Sequence, residues 1–418
     1  KDHGLLDTIP GYLPAPGADI PGCVFAERCA IAVDRCRSEP PPAYDVSPGR
    51  SARCHLHEQA PQLPHDSDTA TRLDSREPGG QPLVRVRNLS KTFRSGGVEV
   101  HALSGIAVDV MPGEILGLVG ESGSGKTTLA RLLLGISEAD PGSVLELDGV
   151  PLAGRTPQRG RDQVKAIQIV FQNPDSALNR RHSVRRLVGR SLTKLAGLRG
   201  PALEARLVEL TRSVKLADRY LTMRPTQLSG GLKQRVAIAR AFGGNPRLVV
   251  CDEPTSALDV SVQAAILNLL AELQRNEGVT YLFISHDLGV VRYLSDRIAV
   301  LYLGRLMEVG TAEAVFDPPH HPYTEALLSA VPSIDGGASR RIRLEGEIPS
   351  AADPPAGCVF HTRCPRRVGE ICDTVEPALA EVEPGHSIRC HIPLGELRRI
   401  QSAVAAATTV AGAGGDAS

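Results

Sequence analysis

Gly120-Glu121-Ser122-Gly123-Ser124-Gly125-Lys126-Thr127 is the stretch on which the reading of this 418-residue chain turns. It meets the pattern G-x-x-x-x-G-K-[ST] at every position. Its neighbours supply the matching context. Glu114-Ile115-Leu116-Gly117-Leu118-Val119 reads as a buried strand, and Thr128-Leu129-Ala130-Arg131-Leu132-Leu133-Leu134 as a helix. Glycines let backbone N–H groups curl around phosphate oxygens, and the helix N-terminus adds a favourable dipole. The expected nucleotide contacts are therefore Gly120, Ser122, Gly123, Gly125, Lys126, Thr127 and Thr128. Lys126 is expected to reach the β- and γ-phosphates, and the Thr127 hydroxyl to ligate Mg²⁺.

Working outward, Leu248-Val249-Val250-Cys251 is a continuous apolar run suited to a central parallel strand, and it ends in Asp252-Glu253. At the C-terminal edge of such a strand the first carboxylate holds Mg²⁺ through water and the second polarises the attacking water. Cys251, inside the run, reads as a small core residue. Further back, Leu228-Ser229-Gly230-Gly231 precedes Lys233-Gln234-Arg235. A Ser and two Gly opening a helix make a second anion-binding N-terminus. One nucleotide does not need two such cradles, so this one implies a head-to-tail partner whose nucleotide it caps.

With these residues in hand, the chain resembles the ATP-binding cassette (ABC) ATPases over residues 83 to about 310. The resemblance implies an α/β P-loop NTPase with a parallel-sheet core, an antiparallel β subdomain and a helical subdomain at about 175–225. It also implies roles for further residues. Phe93 would stack on adenine. Gln172, in Ile169-Val170-Phe171-Gln172-Asn173-Pro174, would match the Q-loop and contact Mg²⁺. Asp259, in Ser256-Ala257-Leu258-Asp259, would match the D-loop, and His286, in Ile284-Ser285-His286-Asp287, the switch histidine. Glu253, His286 and Gln172 form the implied catalytic set, with Thr127, Gln172 and Asp252 around Mg²⁺. Each residue alone also has a plain structural reading, as a turn Gln, a structural His or a core Phe. Their order and spacing favour the cassette. One departure is Leu232, which follows Gly230-Gly231 where the family usually has Gln.

Composition narrows the function classes. Lys plus Arg and Asp plus Glu are both 47, so the chain lacks the basic excess of a nucleic-acid binder, and aromatics at 3% offer few stacking platforms. No uninterrupted apolar stretch approaches the ~20 residues of a membrane helix. A membrane role must then come through partners.

The ends of the chain carry a second message. Cys23, Cys29, Cys36 and Cys54 near the start are matched by Cys358, Cys364, Cys372 and Cys390 near the end. Gly22-Cys23-Val24-Phe25 with Arg28-Cys29 repeats as Gly357-Cys358-Val359-Phe360 with Arg363-Cys364, and Arg53-Cys54-His55 as Arg389-Cys390-His391. A four-thiol set suits a structural zinc ion or an iron–sulfur cluster, and a disulfide framework does not suit a cytosolic ATPase. His55 and His391 read as outer groups or as solvated side chains.

His320-His321-Pro322-Tyr323-Thr324-Glu325-Ala326-Leu327-Leu328-Ser329-Ala330-Val331-Pro332 is by itself a short helix with Pro at each end. With Glu345-Gly346-Glu347-Ile348-Pro349-Ser350 and the Cys-rich tail, it resembles the oligopeptide/dipeptide importer subfamily, in which related ATPases carry a [4Fe-4S] cluster here. Ile9-Pro10-Gly11 before the first set is similar to the tail of a sister subunit. The expected plan is a tandem fusion. Residues 1–59 are the Cys-rich tail of a preceding cassette, 60–82 a linker, 83–331 the cassette, 332–396 a second Cys-rich metal-binding domain, and 397–418 a flexible tail.

The expected function is an ATP-hydrolysing importer motor for peptides, at the cytoplasmic face of the membrane. Its cofactors would be ATP, Mg²⁺ and two [4Fe-4S] clusters, with zinc as the alternative. Its partners would be the preceding cassette, two permease subunits and, indirectly, an extracytoplasmic binding protein, with no nucleic acid. The competing class is a soluble tandem ABC ATPase acting on nucleic acid or ribosomes. About a hundred residues separate Lys126 from Ser229, too few for the long coiled coil of repair-type members at ~1.5 Å per residue.

Overall fold

A computed structural model of the chain describes residue 6 and residues 19–59, 80–331 and 341–402. Ile9-Pro10-Gly11, most of the expected linker and most of the C-terminal tail lie outside the described residues. The chain divides into two compact units, residues 1–74 with 258–268, and residues 75–257 with 269–418.

In the first unit, strand β1 (Tyr44–Ser47) pairs antiparallel with β2 (Arg50–Ala52). A 3₁₀ turn, Ala26–Arg28, and a one-turn helix, Asp34–Ser38, precede this hairpin. Helix and turn are joined where the Cys23 N–H donates to the Cys36 carbonyl at 2.7 Å.

The second unit holds two sheets. Strands β3 (Val84–Ser95), β4 (Val98–Val110), β6 (Val144–Leu147) and β7 (Val150–Pro151) form an antiparallel sheet in the order β4-β3-β6-β7. The larger sheet has the order β13-β14-β12-β11-β5-β10-β9-β8. Its members are β5 (Ile115–Val119), β8 (Ile167–Val170), β9 (Leu248–Asp252), β10 (Thr280–Ile284), β11 (Arg297–Tyr302), β12 (Arg305–Thr311), β13 (Ala380–Glu383) and β14 (His386–Ile388). The five strands from β11 to β8 run parallel, and the last three, β12 to β13, antiparallel. Every residue of β5 and β10 is buried, which is why these strands read as continuous apolar runs rather than alternating ones. The expected parallel core and antiparallel β subdomain are both present.

Beyond β8, the helices Val184–Ser191 and Gly200–Ser213 make the helical part. Val184, Leu187, Val188 and Ser191 are buried at helical spacing, and the Ser183 hydroxyl accepts the Arg186 N–H to cap the start.

The Cys-rich segment after residue 341 shares the cassette's sheet. Strand β14 pairs with β12, aligning Glu308 with Ile388 and Val309 with Ser387. His386 Nε2 lies 2.8 Å from Glu308 Oε1, and both side chains are buried. The sequence repeat is also a structural one. A 3₁₀ turn (His361–Arg363), a short helix (Glu370–Thr374) and the β13–β14 hairpin reproduce the elements of the first unit. The Cys358 N–H donates to the Cys372 carbonyl at 2.8 Å, matching Cys23 and Cys36. His55 and His391 each place Nε2 on a backbone carbonyl sixteen residues earlier, of Glu39 and Val375. Gly22 and Gly357 are required for the same reason. A Cβ on either would lie 2.4 Å or 2.6 Å from the carbonyl oxygen of the third cysteine, Cys36 or Cys372.

Candidate active site

The phosphate loop leaves β5 and enters the helix Lys126–Leu133. Two glycines make the path possible. Gly120 has φ +148°, and a Cβ there would sit 2.1 Å from the Leu301 carbonyl oxygen. Gly125 has φ +107°, and its Cβ would meet Leu103 and the Ala102 carbonyl. Lys126 folds back along the loop, its Nζ donating to Gly120 O at 2.7 Å and Glu121 O at 2.9 Å. Burial lowers the Lys126 pKa, and the charges of Glu253, Asp252 and Glu121 work against that shift.

Parallel pairing sets β9 and β5 on either side of β10, so their C-terminal edges converge on one place. Asp252 ends β9, and Glu253 follows with φ +46°, a conformation rare outside Gly, Asn and Asp. Its N–H donates to Ile284 O at the end of β10. Glu253 Oε2 accepts from Gln172 Nε2 at 3.0 Å and lies 3.2 Å from His286 Nδ1. Gln172 also donates to the Ser256 hydroxyl at 3.1 Å. Burial, with the adjacent Glu253 charge, raises the Asp252 pKa, while Arg131 and Lys126 lower it.

These groups line a cavity of about 470 Å³, bounded by Ala102, Ser122–Thr128, Gln172, Glu253 and His286. Most of the expected set thus meets around one space. Ala102 was not expected there, because a small residue on a β-strand carries no chemical signal. Gly120 and Asp252 are not part of the lining. Thr127 and Gln172 border the cavity and Asp252 carries a half-buried carboxylate, so the oxygen donors suit a Mg²⁺ ion accompanying a phosphate.

Phe93 does not line the cavity. Its ring is 40% exposed on β3, with Lys91 Nζ 5.3 Å from its centroid. Ser229, Gly230 and Gly231 are likewise outside the lining. They open the helix Gly230–Phe242, whose Leu232 N–H donates to the Ser229 hydroxyl. Leu232 is buried, which accounts for an apolar residue at that place. Asp259 belongs to the first unit, where its carbonyl accepts the Val262 and Gln263 N–H groups. Sequence reasoning also missed three ties from this helix to the segment around Gln172, residues 171–177. Lys233 Nζ contacts both Asp175 carboxylate oxygens at 3.0 Å, Gln234 Nε2 donates to Phe171 O, and Arg240 donates to Ala177 O. Only three-dimensional placement brings these residues together.

All nine cysteines are free thiols, and Cys251 is fully buried in the core. Burial pushes the Cys364 thiol up to about 12 and that of Cys390 up to about 11, with charge on the other thiols of the set adding to both shifts. Backbone N–H groups of Leu56 and Ile392 donate to Cys54 Sγ and Cys390 Sγ. The expected metal centres are nevertheless not formed as such. Among the described residues, no three His, Cys, Asp or Glu side chains are gathered in a group that could hold a metal ion. The donors are chemically apt for a soft metal, but their arrangement in this structure is not that of a closed site.

No helix among the described residues is long and apolar enough to cross a membrane. Two family descriptions match the chain. "ABC transporter" covers residues 103–256, and "Oligopeptide/dipeptide transporter, C-terminal region" covers both 1–36 and 307–372. The oligopeptide transport ATP-binding protein AppF of Bacillus subtilis is 41% identical over 323 residues, spanning 75% of this chain and 98% of that protein. A Brucella ovis protein provisionally named as a peptide import ATP-binding protein is 44% identical over 314 residues, 74% of this chain and 97% of its own length. Among solved structures, cbiO1 from Clostridium perfringens, part of the ABC transporter complex cbiONQ, aligns with a TM-score of 0.50 at 28% identity. That alignment covers 57% of this chain and 91% of the other.

Proposed function

Since this chain belongs to the oligopeptide/dipeptide-importer family of ABC ATPases, we propose a division of labour among its residues. The chain is the ATP-hydrolysing motor of a peptide importer. Lys126 and the loop Gly120–Thr128 hold the phosphates. Thr127, Gln172 and Asp252 hold Mg²⁺, which, when bound, neutralises charge on the transferred phosphoryl group. Glu253 accepts the proton of the attacking water, and Gln172 and His286 orient its carboxylate. The observation that carries this reading is one carboxylate oxygen, Glu253 Oε2, shared by Gln172 and His286 in the cavity that Lys126 lines. Phe93 takes the adenine, while Ser229, Gly230, Gly231 and Asp259 face a nucleotide held by a second cassette.

That second cassette precedes this one in the same polypeptide. The first Cys-rich unit supports this plan, since the importer tail description matches the chain twice. Val359 and Phe360 are 3% and 0% exposed on their own cassette, whereas the matching Val24 and Phe25 are 69% and 38% exposed. They form an apolar face suited to a cassette of the same kind. The division into residues 1–59, 60–82, 83–331, 332–396 and 397–418 follows from this plan, as does attachment through two permease subunits, supplied by an external binding protein, at the cytoplasmic face of the membrane.

With the composite site, the purified chain alone is expected to bind Mg-ATP but hydrolyse it slowly at low concentration. Turnover should rise when the preceding cassette is restored. Concentration-independent, full turnover by a monomer would overturn the pairing.

Each four-thiol set holds a [4Fe-4S] cluster, or zinc in its place. Support comes from the soft donor set, from N–H···S bonds at the fourth cysteine, and from a Pro- and Gly-rich segment with little core of its own. Anaerobically prepared protein should contain iron and acid-labile sulfide with broad visible absorbance. Stoichiometric zinc without iron would replace the cluster, and neither metal would remove the assignment.

A further inference from the structure

Arg363, next to Cys364, reaches from the Cys-rich segment into the phosphate loop. Its Nη1 donates to Glu121 Oε2 at 2.7 Å and its Nη2 to Glu121 Oε1 at 3.2 Å. This is a two-point guanidinium–carboxylate contact, and the Arg363 side chain is only 8% exposed. Glu121 is the second residue of the phosphate loop, and its side chain has no place among the nucleotide contacts proposed above.

The backbone of the same residue is held from another side. The Glu121 N–H donates to the Tyr323 hydroxyl at 2.8 Å. Tyr323 is completely buried, with its ring 4.8 Å from Tyr302 and 5.3 Å from Phe360. It sits in the first turn of the helix Pro322–Ser329, where its N–H donates to His321 Nδ1 at 3.0 Å. That helix is fastened in turn. The His321 N–H donates to Glu308, and Arg366 grips Glu325 with two hydrogen bonds. The helix Pro322–Ser329 and the Cys-rich segment therefore converge on one residue of the phosphate loop.

Glu121 also faces inward, because its carbonyl is one of the two that accept from Lys126 Nζ. A shift of this peptide moves the ammonium that the phosphates must meet. We propose that Arg363 and Tyr323 are positioning residues for ATP binding: they fix Glu121, and through its carbonyl Lys126, in the geometry that accepts the phosphates. The segment beyond the cassette is then a support of the nucleotide site. This inference rests on the reading of the Lys126 cavity as the ATP site.

The test is fluorescent-ATP titration of the full chain, with thermal melting recorded alongside, for Arg363→Met, Arg363→Lys, Glu121→Gln, Tyr323→Phe and the Arg363→Met/Glu121→Gln double variant. Because the pair acts as a unit, either single change should weaken nucleotide affinity about fivefold or more, and the double variant should lose no more than the worse single. Arg363→Lys should recover part of the loss, and Tyr323→Phe should weaken binding independently. Glu121→Gln leaves the Cys-rich segment untouched, so it tests the clamp even if Arg363→Met fails to fold. Wild-type affinity in Glu121→Gln, or additive losses in the double variant, would overturn the clamp. Lys126→Ala separates the two ideas. If it binds ATP normally, the site reading fails, whereas if it loses ATP while Glu121→Gln does not, only the clamp fails.

Discussion

Replacing Glu253 by glutamine is expected to slow ATP hydrolysis by about 10²–10⁴-fold, the range ascribed to a positioned general base. Nucleotide should remain bound. Glutamine has nearly the same shape, so its amide can stay against Gln172 and His286, which lie 3.0 Å and 3.2 Å from the native carboxylate. What disappears is the basic oxygen. The substitution also removes a negative charge beside Asp252, whose pKa is raised partly by Glu253. Asp252 should then ionise more readily, and the Mg²⁺ complex should be held at least as firmly. Single-turnover hydrolysis and nucleotide retention, measured in the assembled complex with the substitution in every active cassette, would separate the two effects. Near-normal hydrolysis there would remove Glu253 from its role.

The second large effect belongs to Lys126. Among the described residues lining the cavity it is the one lysine, and none is an arginine. Its alanine variant loses charge-assisted hydrogen bonds to phosphate, each worth about 1.5–3 kcal/mol, so affinity should fall by ~100-fold or more. It also removes the Lys126 donor from the Gly120 carbonyl and from that of Glu121, which keeps the Ser124 N–H. Equilibrium dialysis with Mg-ATP reads the loss directly. An unchanged dissociation constant would mean that the phosphates bind elsewhere. Melting curves guard against unfolding, and little is expected, since removing a desolvated ammonium also removes its burial cost.

Features carried by a few neighbouring residues were readable in the sequence. The glycines at 120 and 125 dictate a backbone that other residues cannot follow. The apolar runs Ile115–Val119 and Leu248–Cys251 mark fully covered strand segments, and Ser229 caps the helix it precedes. Each depends on local sterics or local burial, so the local sequence suffices. The duplicated Cys sets were visible for the same reason, since their turns, helices and hairpins recur with the repeat.

Tertiary structure alone decided which distant residues meet. Gln172 and Glu253 are 81 positions apart, and what joins them is the sheet order that sets β5, β10, β9 and β8 side by side. Arg363 and Glu121 are 242 positions apart, and nothing in either's neighbours announces their contact. The sequence marked residues 332–396 as a Cys-rich segment, and only the fold shows its strand β14 pairing with β12 in the cassette's own sheet. Phe93, expected at the adenine, is exposed outside the cavity, and the cysteine donors are not gathered into a metal-holding group. Local propensity chooses the elements, but their partners are chosen by how apolar faces close together and by which buried charges find an opposite. The whole chain has to be folded before that choice exists.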